Sequence, residues 1–121
     1  MKPGFSNQIG KLGEQMAVSY LQKEGHRILC RNYRTVGAEI DIISMKDQRL
    51  YMVEVKASRA VDSEADPLER VDARKVMRMK KAAGRYLSEH PIYYTEMRLA
   101  ALVIEGIGRP VPIIQFVDDS E

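Results

Sequence analysis

Three charged side chains interrupt otherwise apolar runs. Asp41 stands inside Ile40-Asp41-Ile42-Ile43, and Glu54 and Lys56 stand inside Leu50-Tyr51-Met52-Val53-Glu54-Val55-Lys56. Side chains alternate along a strand, so Glu54 and Lys56 share one face and Val53 and Val55 the other. A buried carboxylate or ammonium is costly unless it is paired or binds a metal. An acid on the preceding strand, joined by a short turn, is brought beside Glu54. Asp41 and Glu54, with a nearby carbonyl such as that of Val55, then offer the hard oxygen donors that suit Mg²⁺ or Mn²⁺. A neighbouring ammonium, Lys56, can orient an attacking hydroxide and stabilise charge on a phosphoryl oxygen. Glu14 falls at the edge of an apolar helical stripe, beside Ala17 and Leu21, and can reach the same sheet. Each signal has a plainer explanation: a Glu-x-Lys triplet on the wet face of an amphipathic strand, and a solvated helix acid favoured by the macrodipole.

The elements that must position these residues follow from periodicity. Ile9, Leu12, Met16, Ala17, Tyr20 and Leu21 predict a helix over Ile9–Glu24, with Ser6 or Asn7 as its cap and Gly25 at its end. Strands are expected over Arg27–Tyr33, Glu39–Ile43 and Leu50–Lys56, separated by Gly37 and by Lys46-Asp47-Gln48. Ala57–Asp66 reads as a loop. A second helix, Ala73–Leu87, has Asp72 as its cap and Val76, Met79, Ala83, Tyr86 and Leu87 as its buried face. Met97–Val103 and Pro112–Val117 complete the order α-β-β-β-α-β-β, an α/β fold with a central mixed sheet flanked by helices.

The second helix carries a stripe of one sign. Arg74, Arg78, Lys81 and Arg85 recur at i, i+4, i+7 and i+11, and Asp72 is the one acid between Arg70 and Arg85. Solvated helix faces normally mix signs, whereas a one-sign stripe suits phosphate contacts that give affinity without sequence specificity. Lys75 lies between the basic and apolar faces, where it can look toward the carboxylates. Arg31, Arg34 and Arg59 can add contacts from positions near loops.

The ordered motifs resemble the YraN-like bacterial family. They are Gly10-Lys11-Leu12-Gly13-Glu14-Gln15-Met16-Ala17 with Tyr20-Leu21 and Gly25, Arg31-Asn32-Tyr33-Arg34, Glu39-Ile40-Asp41-Ile42-Ile43 and Val53-Glu54-Val55-Lys56. Val71, Lys75, Ala83, Tyr86 and Leu87 continue the match, which covers about Gly10 to Val117. The resemblance implies a restriction-endonuclease-like fold of the PD-(D/E)xK superfamily, similar to archaeal Holliday-junction resolvases. It implies Asp41 and Glu54 as metal ligands, Lys56 as the catalytic lysine, and Glu14 as a helix-borne acid that helps hold metal or water. Glu39 shares a strand face with Asp41 and can support the site or pair with Lys56. By analogy with the resolvases, a homodimer would match a two-fold junction. Three departures stand out: Ala38 where the family has Gly, Ser58 where it often has Arg, and Ala100 near a position that often holds Asp.

The expected function is therefore metal-dependent hydrolysis of DNA phosphodiester bonds, on branched or structured substrates. The alternative is a non-catalytic nucleic-acid-binding or repair-complex module that keeps the fold. Nothing else competes: there is no P-loop, dinucleotide fingerprint or activated Ser or Cys. Cys30 is the lone cysteine and reads as core, and His26 and His90 are too few for a zinc cluster. At 121 residues the chain is expected to be one domain, 1–121, with loose ends at 1–7 and 118–121. It lacks an apolar signal or membrane-spanning run, so a cytoplasmic location is expected. Its net charge of only +2 hides an uneven distribution, because residues 70–85 hold seven basic groups against one acid.

Overall fold

The period-two runs become five strands, β1 (Arg27–Thr35), β2 (Ala38–Lys46), β3 (Arg49–Ala57), β4 (Glu96–Glu105) and β5 (Ile113–Asp118). The two helical patterns become α1 (Pro3–Lys23) and α2 (Ala73–Glu89), so the element order is the expected α-β-β-β-α-β-β. A computed structural model describes residues 3–61 and 73–119, with side chains from residue 8 onward. Asp72, Arg70 and Val71 lie outside the described residues, as do the side chains of Ser6 and Asn7. The backbone of α1 is helical from Pro3, six residues before the expected start, so Ser6 and Asn7 lie inside the helix. At the other end, the Asp119 amide donates to the Leu99 carbonyl at 3.0 Å, one residue past the end of β5.

The sheet runs β1-β2-β3-β4-β5 in space. All neighbours are antiparallel except β3 and β4, which are parallel and are connected through α2. A parallel pair needs such a crossover, whereas the antiparallel pairs need only short turns. The β2–β3 turn places Asp47 (φ 52°) and Gln48 (φ 63°) both in the left-handed region, as a two-residue type I′ hairpin requires. In the β1–β2 turn, Gly37 takes positive φ (75°). Ala38 is thereby left free to enter β2 and the core, and its departure from the family pattern costs no backbone strain.

Among the described residues, each sheet face is covered by one helix. Ala17 and Leu21 of α1 pack on Ile42, Tyr51, Val53, Leu102 and Ile104. Met79, Ala82, Ala83 and Tyr86 of α2 pack on Ile40, Ile43, Leu50 and Met52. Tyr86 meets Tyr33 edge-on at 5.2 Å and stacks on His90 at 4.4 Å. Met77 is exposed while Met79 is fully buried, and Cys30 is half-buried against the α2-side core. Leu12 departs from the expected packed stripe and is exposed. Its neighbour Gly13 makes the contact instead: a Cβ there would overlap the methyl of Ala57, so α1 approaches the end of β3 more closely than any side chain would allow. No described helix is long and apolar enough to cross a membrane.

Candidate functional site

The site forms where the sheet loses its regularity. Pairing of β2 with β3 extends from Lys46–Arg49 to Ile42–Val53. The next residue of β2 is Asp41, whose Oδ2 accepts the Val55 amide at 2.8 Å. A side chain thus satisfies a donor on a central strand that a backbone carbonyl would otherwise take. The faces also shift here. Ile40 belongs to the α2-side core and Ile42 to the α1-side core, although residues two apart share a face in a regular strand. On β1 the corresponding irregularity is Asn32, between Arg31 (paired with Ile42) and Tyr33 (paired with Ile40). Its φ of 54° is left-handed, a conformation Asn tolerates better than most residues.

Asn32 in turn places Glu14. Its amide donates to Glu14 Oε1 at 2.7 Å, and Arg31 reaches the same oxygen at 3.4 Å. With Gly13 seated on Ala57, this brings Glu14 over a cavity of about 420 Å³ that it lines with Asn32, Arg34, Asp41, Val55 and Ala57. The helix acid therefore shares a cavity with Asp41, but its carboxylate is committed to β1 side chains. Sequence reasoning missed Asn32. Its signal was an Asn flanked by strand residues, a type that favours left-handed backbone.

Glu54 is buried, at 4% exposure. Lys75 of α2 lies 2.6 Å from its Oε1, whereas Lys56, two residues along the same strand face, lies 3.7 Å away. Glu54 Oε2 is buried and has no hydrogen-bond partner among the described residues. Burial, and secondarily the charge of Glu54, push the Asp41 carboxyl up to about 6, against the opposing effect of the Val55 amide. Burial works against the charge of Lys75, but its hydrogen bond and attraction to Glu54 outweigh this and raise its pKa. Asp41, Glu54, Lys56 and Lys75 are thus brought together.

Glu39 is not joined to Lys56. It is exposed and pairs with Arg34 at 3.2 Å, because its side of β2 faces the neighbouring hairpin arm. Arg34 lines a second cavity, of about 360 Å³, with Glu39, Lys75 and Arg78. Arg74, Arg78, Lys81 and Arg85 are all exposed on α2, as is Arg59 after β3. The far end of the stripe is partly neutralised, since Arg85 pairs with Glu89 at 3.1 Å and Glu89 also accepts the Tyr33 hydroxyl at 2.6 Å. Ser58 offers no cation: its hydroxyl donates to the Ala60 carbonyl and its amide to that of Ile104. Ala100 is buried in the α1-side core.

Among the described residues, no three His, Cys, Asp or Glu side chains converge as a metal-binding group. The donor chemistry nonetheless fits a hard divalent cation. Asp41 borders space for water, and Glu54, near enough for its charge to raise the Asp41 pKa, holds an unpartnered buried oxygen. Mg²⁺ typically takes one or two carboxylates and completes its shell with water and substrate phosphate.

A family model described as "Uncharacterised protein family UPF0102" matches residues 13–104. A "UPF0102 protein" of Mycolicibacterium vanbaalenii is 34% identical over 110 residues, 91% of this chain and 90% of the relative. That of Syntrophomonas wolfei is 38% identical over 93 residues, 77% of this chain and 80% of the relative. That of Thermotoga neapolitana is 46% identical over 77 residues, 64% and 69% of the two chains.

Proposed function

The chain belongs to the uncharacterised protein family UPF0102, the YraN-like family its motifs resemble, and we propose that it is a divalent-metal-dependent nuclease acting on DNA phosphodiester bonds. The observation that carries this reading is that Asp41, bonded to the Val55 amide where β2 and β3 part, lies within electrostatic reach of buried Glu54, with Lys56 and Lys75 on the Glu54 carboxylate. Burying Glu54 is costly unless it is paired or binds a metal, and Lys75 satisfies only one of its two oxygens.

Asp41 and Glu54 would hold Mg²⁺ or Mn²⁺. When bound, such an ion lowers the pKa of water and neutralises phosphate charge. Asp41 is fixed by the Val55 amide, so its free oxygen keeps one orientation. Lys56 is the strand-borne ammonium that orients the attacking hydroxide and meets the developing phosphoryl charge. Glu14 orders water through the cavity it shares with Asp41. Arg74, Arg78 and Lys81 supply phosphate contacts, with lesser ones from Arg59 and from Arg34 and Arg85, which are paired with Glu39 and Glu89. Branched or otherwise structured DNA is the substrate favoured by the family resemblance.

One observation favours the non-catalytic binding module: Glu14 is held by Asn32 and Arg31. The two readings separate on supercoiled plasmid with Mn²⁺ or Mg²⁺. The nuclease converts it to nicked or linear forms, and Asp41→Asn and Lys56→Met abolish the conversion. Salt-dependent binding with no turnover, unaffected by Asp41→Asn, would leave the binding module.

A further inference from the structure

The cation nearest to Glu54 comes from a helix, not from its own strand. We infer that Lys75 is the internal counter-cation of Glu54, which a divalent ion must displace and whose freed ammonium then meets phosphate in the cleft beside α2. This rests on reading Glu54 as a metal-binding carboxylate.

Three relationships support it. Lys75 Nζ is 2.6 Å from Glu54 Oε1, against 3.7 Å for Lys56 Nζ, so Lys75 makes the close ion pair. Its side chain is one-third exposed (34%) while that of Glu54 is 5% exposed. The lysine therefore reaches inward to the carboxylate while also lining the 360 Å³ cleft with Arg34 and Arg78. Finally, Glu54 Oε2 has no hydrogen-bond partner among the described residues, so the lysine satisfies only one of the two oxygens.

A hard cation on either oxygen of Glu54, the unpartnered Oε2 included, sits within one carboxylate's width of the ammonium at Oε1 and meets strong like-charge repulsion. Lysine is a compact charge on a flexible four-carbon stem, well suited to leaving one anion for another. The other anion is at hand if DNA lies along α2, because Arg78 lines the same cleft and Arg34 already offsets its one acid, Glu39. Phosphate that draws Lys75 away exposes Glu54 to metal, and metal that displaces Lys75 offers it to phosphate. Metal and nucleic acid then strengthen one another's binding by the same factor.

The test uses the wild-type chain. Limited acetylation is quantified residue by residue by mass spectrometry, with and without saturating MnCl₂, while calorimetry follows Mn²⁺ binding. Lys75 reactivity should rise severalfold on Mn²⁺ binding, with exposed Lys80 of the same helix unchanged. Lys75→Met should bind Mn²⁺ at least about fivefold more tightly, a gain of about 1 kcal/mol, and Glu54→Gln should lose that binding. Should Lys75→Met fail to fold, the acetylation of wild-type protein still decides. Mn²⁺ binding that leaves Lys75 reactivity unchanged overturns this inference alone. Absence of Mn²⁺ binding in both wild type and Lys75→Met overturns it together with the metal-dependent reading.

Discussion

The carboxylate of Asp41 takes the place of a sheet partner for Val55, accepting its amide at 2.8 Å where the β2–β3 ladder has ended. One side chain thus closes a gap in the sheet and lines the cavity beneath Glu14. The two roles can be separated. Asp41→Asn keeps an oxygen for the Val55 amide and removes the charge, whereas Asp41→Ala leaves a donor unsatisfied. Urea titration should find Asp41→Ala less stable than Asp41→Asn by about 1–3 kcal/mol. Both should lose DNA cleavage. Equal stability of the two variants would show that the hydrogen bond carries no structural weight.

The seating of α1 depends on Gly13. Gly13→Ala gains about 1 kcal/mol in helix propensity, but its methyl meets that of Ala57, and overpacking of this kind costs about 1–3 kcal/mol. Net destabilisation is expected in thermal melts, and Ala57→Gly in the same chain should restore much of it. A Gly13→Ala variant as stable as wild type, alone, would mean that α1 shifts freely over β3.

The basic stripe should act unevenly along its length. Arg78→Ala removes a cation that faces the cleft with Lys75. If it contacts one phosphate, DNA affinity falls and the slope of log affinity against log salt drops by about 0.9. Arg85→Ala should matter less, because Arg85 is already paired with Glu89. Anisotropy titrations across a salt series decide between this gradient and a uniform response.

His26 provides a pH dependence away from the candidate site. It is buried, its Nδ1 lies 2.9 Å from Ser44 Oγ, and its ring tilts against Tyr51. Burial, followed by the charge of Lys46, lowers its pKa below 6.5. The unfolded chain then binds more protons than the folded one between that lowered value and 6.5. The His26 contribution to stability is therefore complete above pH 6.5 and declines as pH falls through the window below it. The raised Asp41 pKa acts in the opposite direction over the same range in both proteins, so lowering the pH from 7.5 to 5 should move the melting temperature of wild type less favourably than that of His26→Gln. The same pH response in both would assign it to other groups.

The order of elements and the carboxylate pair were legible because charge in an apolar strand stands out against a period of two. Asp41, Glu54 and Lys56 are conspicuous from their immediate neighbours. The residues that orient them are less so. Gly13 matters through a contact with Ala57 that no local pattern encodes, and Lys75, which helical spacing already aims toward the carboxylates, owes its 2.6 Å approach to Glu54 to the docking of α2. Asn32 could be suspected from its residue type, but its bond to Glu14 depends on where α1 lies. Leu12 misled for the same reason, since a glycine can take the contact that hydrophobic periodicity assigns to a leucine. Glu89, just past the apparent end of the basic stripe, shows that a single-sign helix face can still be balanced by its last turn.

The most direct test of the account is single-turnover cleavage of an end-labelled four-way DNA junction with Mn²⁺, alongside binding of the same junction. Wild type, Asp41→Asn, Glu54→Gln and Lys56→Met should all bind, and only wild type should cut, with a loss in the variants of at least about a hundredfold. Cutting that survives all three substitutions, or wild type that binds the junction and cuts neither it nor plasmid with either metal, would contradict the nuclease assignment.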